Sequence, residues 1–140
     1  MTIEPYLYFE GRAEEAANFY KTIFDFEPQI LRFKDCPVPL PAGALPPGGE
    51  DKIMHMHMKI GDSNVLASDG RCGGKANFEG FALTYQAKDE ADVDRVFNAL
   101  LDGGSVRMPL DKTFFSSRFG MLTDRFGVGW IVMAPAALAA

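Results

Sequence analysis

Two stretches of about sixty residues each run through one order of patterns: a short strand, an amphipathic helix, then three strands. A chain of 140 residues that repeats itself this way has room for one domain. The repeat therefore predicts two βαβββ modules, over about 2–69 and 77–134, inside a single domain spanning 1–140. One continuous parallel sheet would need strands and helices to alternate throughout, which this order does not do.

In the first half, Ile3 to Phe9 is aromatic-rich, stops at Gly11 and reads as a strand, with Pro5 favouring an edge. From Ala13 to Phe24 the apolar residues Ala16, Phe19, Tyr20, Ile23 and Phe24 recur at helical spacing, with Glu14 and Glu15 placed where they favour the helix dipole. Gln29 to Phe33 makes a short strand. Cys36 to Glu50 holds five prolines and three glycines in fifteen residues, so it is a long loop, either a binding loop or a plain excursion. Lys52 to Ile60 then alternates at period two, with Met54, Met56, Met58 and Ile60 on one face and His55 and His57 on the other. Asn64 to Ser68 returns across Gly61-Asp62 to close a hairpin.

The second half opens on a strand from Phe78 to Gln86 and a helix from Asp89 to Leu101 that stops at Gly103-Gly104. Val106 to Leu110, Arg118 to Thr123 and Gly129 to Met133 supply three more strands, and the alanine-rich tail from Pro135 to Ala140 is expected to fray.

Composition narrows the function. The net charge is -5 and no stripe of Lys and Arg forms, so a nucleic-acid partner is not expected. No apolar run is long enough to span a bilayer, and the first residues lack the pattern of a signal peptide, so the expected location is the cytoplasm, with no membrane partner. Cys36 and Cys72 read as free thiols rather than a bridge.

Three stretches carry a family resemblance: Glu14-Glu15-Ala16-Ala17-Asn18-Phe19-Tyr20; Asp51-Lys52-Ile53-Met54-His55 with Lys59-Ile60-Gly61-Asp62 and Ala67-Ser68-Asp69; and Arg118-Phe119-Gly120-Met121 with Thr123-Asp124-Arg125-Phe126-Gly127 and Trp130. In this order they resemble the vicinal oxygen chelate superfamily (glyoxalase, bleomycin resistance and dioxygenase proteins), in its PhnB-like branch. The resemblance implies an α+β fold in which the modules form a cupped, barrel-like mixed sheet with helices outside. Many members hold a divalent metal with four inward side chains. Aligned through Phe19-Tyr20, those positions fall on Pro5, near Leu66 to Ser68, on Phe81 and beside Ile131. Proline, phenylalanine and isoleucine offer a metal no lone pair, so the usual metal site is expected to be lost and no cofactor is expected.

The remaining candidates each carry a plainer alternative. His55 and His57 could share a divalent ion, but no carboxylate completes the set; otherwise they are polar groups lining a cup. Ser68 and Phe81 could complete a substrate pocket with them. Arg118 could meet an anionic group or simply pair with an acidic neighbour. Phe81, Leu83 and Tyr85 share a face that is either pocket or core, and Trp130 reads as core.

The leading expectation is therefore a homodimeric protein that binds a small molecule, without the usual metal, at His55, His57, Ser68, Phe81 and Arg118. Any chemistry would rest on a histidine. The alternatives are a metal-dependent lyase, isomerase or dioxygenase with relocated ligands, and a dimerisation domain without catalysis. Methyl transfer from S-adenosylmethionine has no sequence support, since Gly70 to Gly74 does not lie between a strand and a helix.

Overall fold

The computed structural model describes residues 1–38 and 40–135, so Pro39 of the long loop and the tail beyond Pro135 lie outside it. Two compact units, Met1–Asn77 and Phe78–Ala140, each contain one sheet and one helix.

The first unit comprises β1 (Tyr6–Tyr8), α1 (Ala13–Phe24), β2 (Gln29–Arg32), β3 (Ile53–Ile60) and β4 (Ser63–Ser68). The second comprises β5 (Leu83–Gln86), α2 (Glu90–Leu101), β6 (Ser105–Asp111), β7 (Phe119–Thr123) and β8 (Gly129–Met133). The sheets run in matching orders, β1-β4-β3-β2 and β5-β8-β7-β6. In each, the first strand pairs parallel with the last and the other pairings are antiparallel. The α+β architecture and the expected element order hold, with two four-stranded mixed sheets and no closed barrel among the described residues.

Both helices start where acidic residues sit in the first turn, but their free N–H groups are satisfied differently. At α2 the preceding residue does it: the Asp89 carboxylate accepts from the Asp92 N–H at 2.8 Å, an ordinary N-cap. At α1 the acceptor comes from far along the chain. The Asp69 Oδ1 takes the Gly11 and Ala13 N–H groups at 2.8 Å each, and its Oδ2 takes the Ile53 N–H at 2.8 Å. Asp69 is 1% exposed, so these bonds form where an unpaired carboxylate would be costly. One side chain thus ties the start of α1 to the start of β3.

The helix-facing side of the first sheet is apolar, with Leu7, Met56, Met58 and Ala67 fully buried. The methionine row is shorter than the alternation suggests. Arg32 pairs with Ile53 while Leu31 pairs with His55, so Met54 is the extra residue of a bulge. Parity reverses across it: Ile53, at 0% exposure, takes the buried place expected for Met54, which is only half-buried. In the second unit Leu122, Trp130 and Val132 fill the equivalent side. Gly120 stands among them because a Cβ there would come within 2.7 Å of side-chain atoms of Phe97 on α2 and Leu110 on β6.

The expected strand from Phe78 to Gln86 begins late, at Leu83. Glu79 and Gly80 form a turn, with Gly80 at φ 85°, and Phe81 follows outside the sheet. Leu83 and Tyr85 belong to the helix side, since the Tyr85 hydroxyl donates to Asp92 of α2 at 2.8 Å. Both cysteines are free. No helix among the described residues is long and apolar enough to cross a membrane.

Candidate functional site

The open face of the first sheet collects the polar side chains of this unit. Beyond the bulge β3 is regular, so His55 and His57 share a face, opposite the buried Met56 and Met58. On β4 the same face carries Asn64, Leu66 and Ser68, while Val65 and Ala67 turn toward the helix. On β1, Tyr6 lies opposite Leu66 and Tyr8 opposite Ser68. A broad depression of about 460 Å³ opens on this face, and its lining includes His55, His57, Asn64, Leu66, Leu31 and Glu4.

Each imidazole has a partner. The Tyr6 hydroxyl lies 2.9 Å from His55 Nδ1, with the two rings 5.6 Å apart. The Asn64 Oδ1 lies 2.7 Å from His57 Nε2. The Tyr6 phenol is held above its usual pKa of 10.0, chiefly by burial and then by neighbouring Tyr8. Tyr6 therefore stays a hydroxyl at neutral pH.

Ser68 is 4% exposed and lies opposite Tyr8 in the sheet. Its oxygen accepts from the Gly70 N–H at 2.9 Å, and the Ile53 carbonyl lies 3.4 Å away. Its hydroxyl is thus engaged by the backbone at the start of β3 and at the turn after β4. His55, His57 and Ser68 are brought onto one face. Phe81 and Arg118 belong to the second unit, Phe81 as a 45% exposed ring. The Arg118 guanidinium pairs with Asp94 on α2, the ion pair that sequence alone left open.

Tyr6 and Asn64 are the neighbours that the candidate list lacks. Asn64 shares the parity of Ser68 on one strand, a signal present in the sequence. Tyr6 had no such local signal, because its partner lies 49 residues away.

The donor set does not suit a divalent ion. Among the described residues no three His, Cys, Asp or Glu side chains come together in a way that could hold one. The two histidines are hydrogen-bonded to a phenol and an amide, neither of which is a usual ligand of a divalent transition metal.

The sequence pattern of the family described as 3-demethylubiquinone-9 3-methyltransferase matches residues 1–133. Among solved structures, protein PA1353 from Pseudomonas aeruginosa is 36% identical with a TM-score of 0.83, covering 96% of this chain and 98% of that one. A Bacillus cereus protein described as a putative 3-demethylubiquinone-9 3-methyltransferase, PhnB protein, is 29% identical with a TM-score of 0.74, covering 96% and 99%. A glyoxylase/bleomycin resistance protein/dioxygenase domain from Frankia sp. EAN1pec shares the fold at 12% identity, with a TM-score of 0.66 over 99% of this chain and 93% of that one.

Proposed function

The chain belongs to the family described as 3-demethylubiquinone-9 3-methyltransferase, a PhnB-like group with the glyoxalase/bleomycin resistance fold, and from that footing we propose that it binds a small molecule over His55 and His57 without a chelated metal. The observation that carries the reading is the depression over the open face of the first sheet, where apolar Leu31 and Leu66 flank two oriented imidazoles. Apolar walls with a few fixed polar groups are the usual make-up of a ligand site. Ser68 shares this face of β4 with Asn64 and Leu66, while Phe81 belongs to the other unit and carries no part of the reading. Arg118 has the weaker claim, its charge being engaged by Asp94.

Methyl transfer, the activity in the family's description, finds little support in the geometry. The glycine-rich stretch from Gly70 to Gly74 follows β4 and leads to β5 rather than into a helix, so it does not form the strand-to-helix glycine turn of such cofactor sites. The protein so read acts in the cytoplasm, either sequestering its ligand or transforming it with a histidine as acid or base.

The test is a thermal-shift screen of untagged protein, repeated on a His55→Ala, His57→Ala double variant. A ligand at a hundred times its Kd stabilises by about 2.7 kcal/mol. The variant should melt close to the parent and lose that ligand-dependent gain; equal stabilisation of both proteins would overturn the reading. Stoichiometric nickel, zinc or iron in the untagged protein would favour a metal-dependent lyase, isomerase or dioxygenase instead.

Assembly as a homodimer is part of the same proposal. Its support is the edge strand β6, where Val106 and Met108 are each 46% exposed. A monomer mass by light scattering at micromolar concentration would count against it.

A further inference from the structure

We infer that Asn64 holds His57 with its hydrogen on Nε2, leaving the Nδ1 lone pair and the Glu4 carboxylate as acceptors, so that the site takes a ligand carrying an ammonium group. The inference rests on the binding site proposed above and names the chemistry it takes.

A neutral imidazole has one N–H and one lone pair, and whichever nitrogen a neighbour engages decides the role of the other. The Asn64 carbonyl oxygen lies 2.7 Å from His57 Nε2 and can only accept. The hydrogen must therefore lie on Nε2, and Nδ1 keeps the lone pair. Asn64 is thus a positioning residue that makes His57 an acceptor toward the ligand. The Tyr6 hydroxyl beside His55 can donate or accept, and sets no such preference there.

Charge on the walls points the same way. Glu4 lines the depression together with His57 and Asn64 and is half-buried. Its Oε1 accepts from the Thr2 hydroxyl at 2.7 Å, an uncharged donor that leaves the carboxylate's charge in place. No Lys or Arg is among the described residues that line the depression. Lys59 shares the parity of His57 on β3, but it is exposed and lies outside that lining. A half-buried carboxylate without a cation on the same walls attracts a positively charged guest and repels an anion.

An ammonium group is a donor with no acceptor, so it satisfies both the Glu4 carboxylate and the His57 lone pair. Aromatic rings stand on the same face. Tyr6 follows Glu4 by two residues, a span of about 6 to 7 Å in extended chain. The Tyr6 and Tyr8 rings lie 5.0 Å apart and are 37% and 52% exposed. Ring faces left open in this way attract a cation. Leu31 and Leu66 suit an apolar body behind the ammonium.

The experiment uses three small probes built on one ring: benzylamine, which carries its proton near pH 8, uncharged benzyl alcohol and anionic benzoate. The full chain is labelled with nitrogen-15 at histidine. Long-range proton–nitrogen spectra at about pH 8, where imidazole is ordinarily uncharged, should find hydrogen at Nε2 of His57. Asn64→Leu should remove that preference and leave the His55 signals unchanged. Benzylamine should shift the His57 signals with an apparent affinity at least tenfold above that of either other probe. Glu4→Gln should bring benzylamine to within threefold of benzyl alcohol without weakening the alcohol. Hydrogen at Nδ1 of His57 overturns the inference while leaving the binding site standing. So does benzyl alcohol or benzoate matching benzylamine, or no response to benzylamine from a protein whose other ligands depend on the histidines. If benzylamine and every other ligand bind the His55→Ala, His57→Ala double variant as well as the parent, the proposed site itself fails and this inference with it.

Discussion

The two sheets share strand order and pairing direction, yet their open faces carry different chemistry. On the first, Tyr6, His55, His57 and Asn64 present hydroxyl, imidazole and amide groups. On the second, β7 and β8 present half-buried Phe119, Met121, Ile131 and Met133, and the polar groups are Thr84 and Gln86 of β5 and Thr123 of β7, with no titratable side chain among them. The helix-facing sides differ far less, since both are packed with Leu, Val, Ala or Met. Repetition of the fold therefore constrains only one side of each sheet, and the other is free to specialise. The units also differ in how they are fastened: a distant carboxylate caps α1, whereas a neighbouring one caps α2.

That contrast in fastening gives the largest expected effect. Asp69→Ala leaves three N–H groups without their charged acceptor in a site 1% exposed, and should cost more than about 3 kcal/mol. Asp89→Ala removes a local cap and should cost about 1 kcal/mol. Urea unfolding monitored by circular dichroism measures both; equal costs would erase the distinction between the two fastenings.

Acid should separate the units more gently. Asp92 is buried, which alone would raise its pKa, but bonds from Tyr85, the Lys88 N–H and Arg95 outweigh burial and hold it below its ordinary 3.8. Glu14 in the first unit is held below its ordinary 4.5 mainly by the hydrogen bond from Arg32. Both folded-state values are depressed, so each contributes stability that is full above the unfolded pKa and is lost as pH falls through the folded one. Asp92→Asn should flatten the acid limb of stability below pH 3.8. Glu14→Gln should change it by less than about 1 kcal/mol, and less again in high salt, because the pair is solvent-exposed. Denaturant midpoints measured across the acid range check the pair; a larger effect at Glu14 than at Asp92 would reverse the ranking.

Legibility from sequence followed the range of the interaction. The helix Ala13–Phe24 could be read end to end because its periodicity and its acidic first turn are local. The common face of His55 and His57 followed from strand parity, which holds over the regular part of β3. Parity failed at Met54, where the bulge depends on the pairing of a partner strand more than twenty residues earlier. It failed again before Leu83, where the turn at Glu79-Gly80 interrupts an otherwise apolar run. The Tyr6 and His55 pair could not be found locally at all, since it exists only once β1 has joined β4 and β4 has joined β3.

The Asp69 clip also sets an order of events in time. Its bonds to Gly11 and Ala13 close loops of 58 and 56 residues, so α1 cannot receive its cap until the β3 and β4 hairpin has been made and brought back to it. Short helices left uncapped are marginal in water, whereas α2 carries its cap three residues from its beneficiary. On the ribosome, the first helix to emerge must therefore wait for residue 69, while the second can be capped as soon as its own first turn appears. Pulse-labelled amide exchange during refolding would register that order as earlier protection in α2 than in α1, with the later-synthesised unit acquiring its helix first.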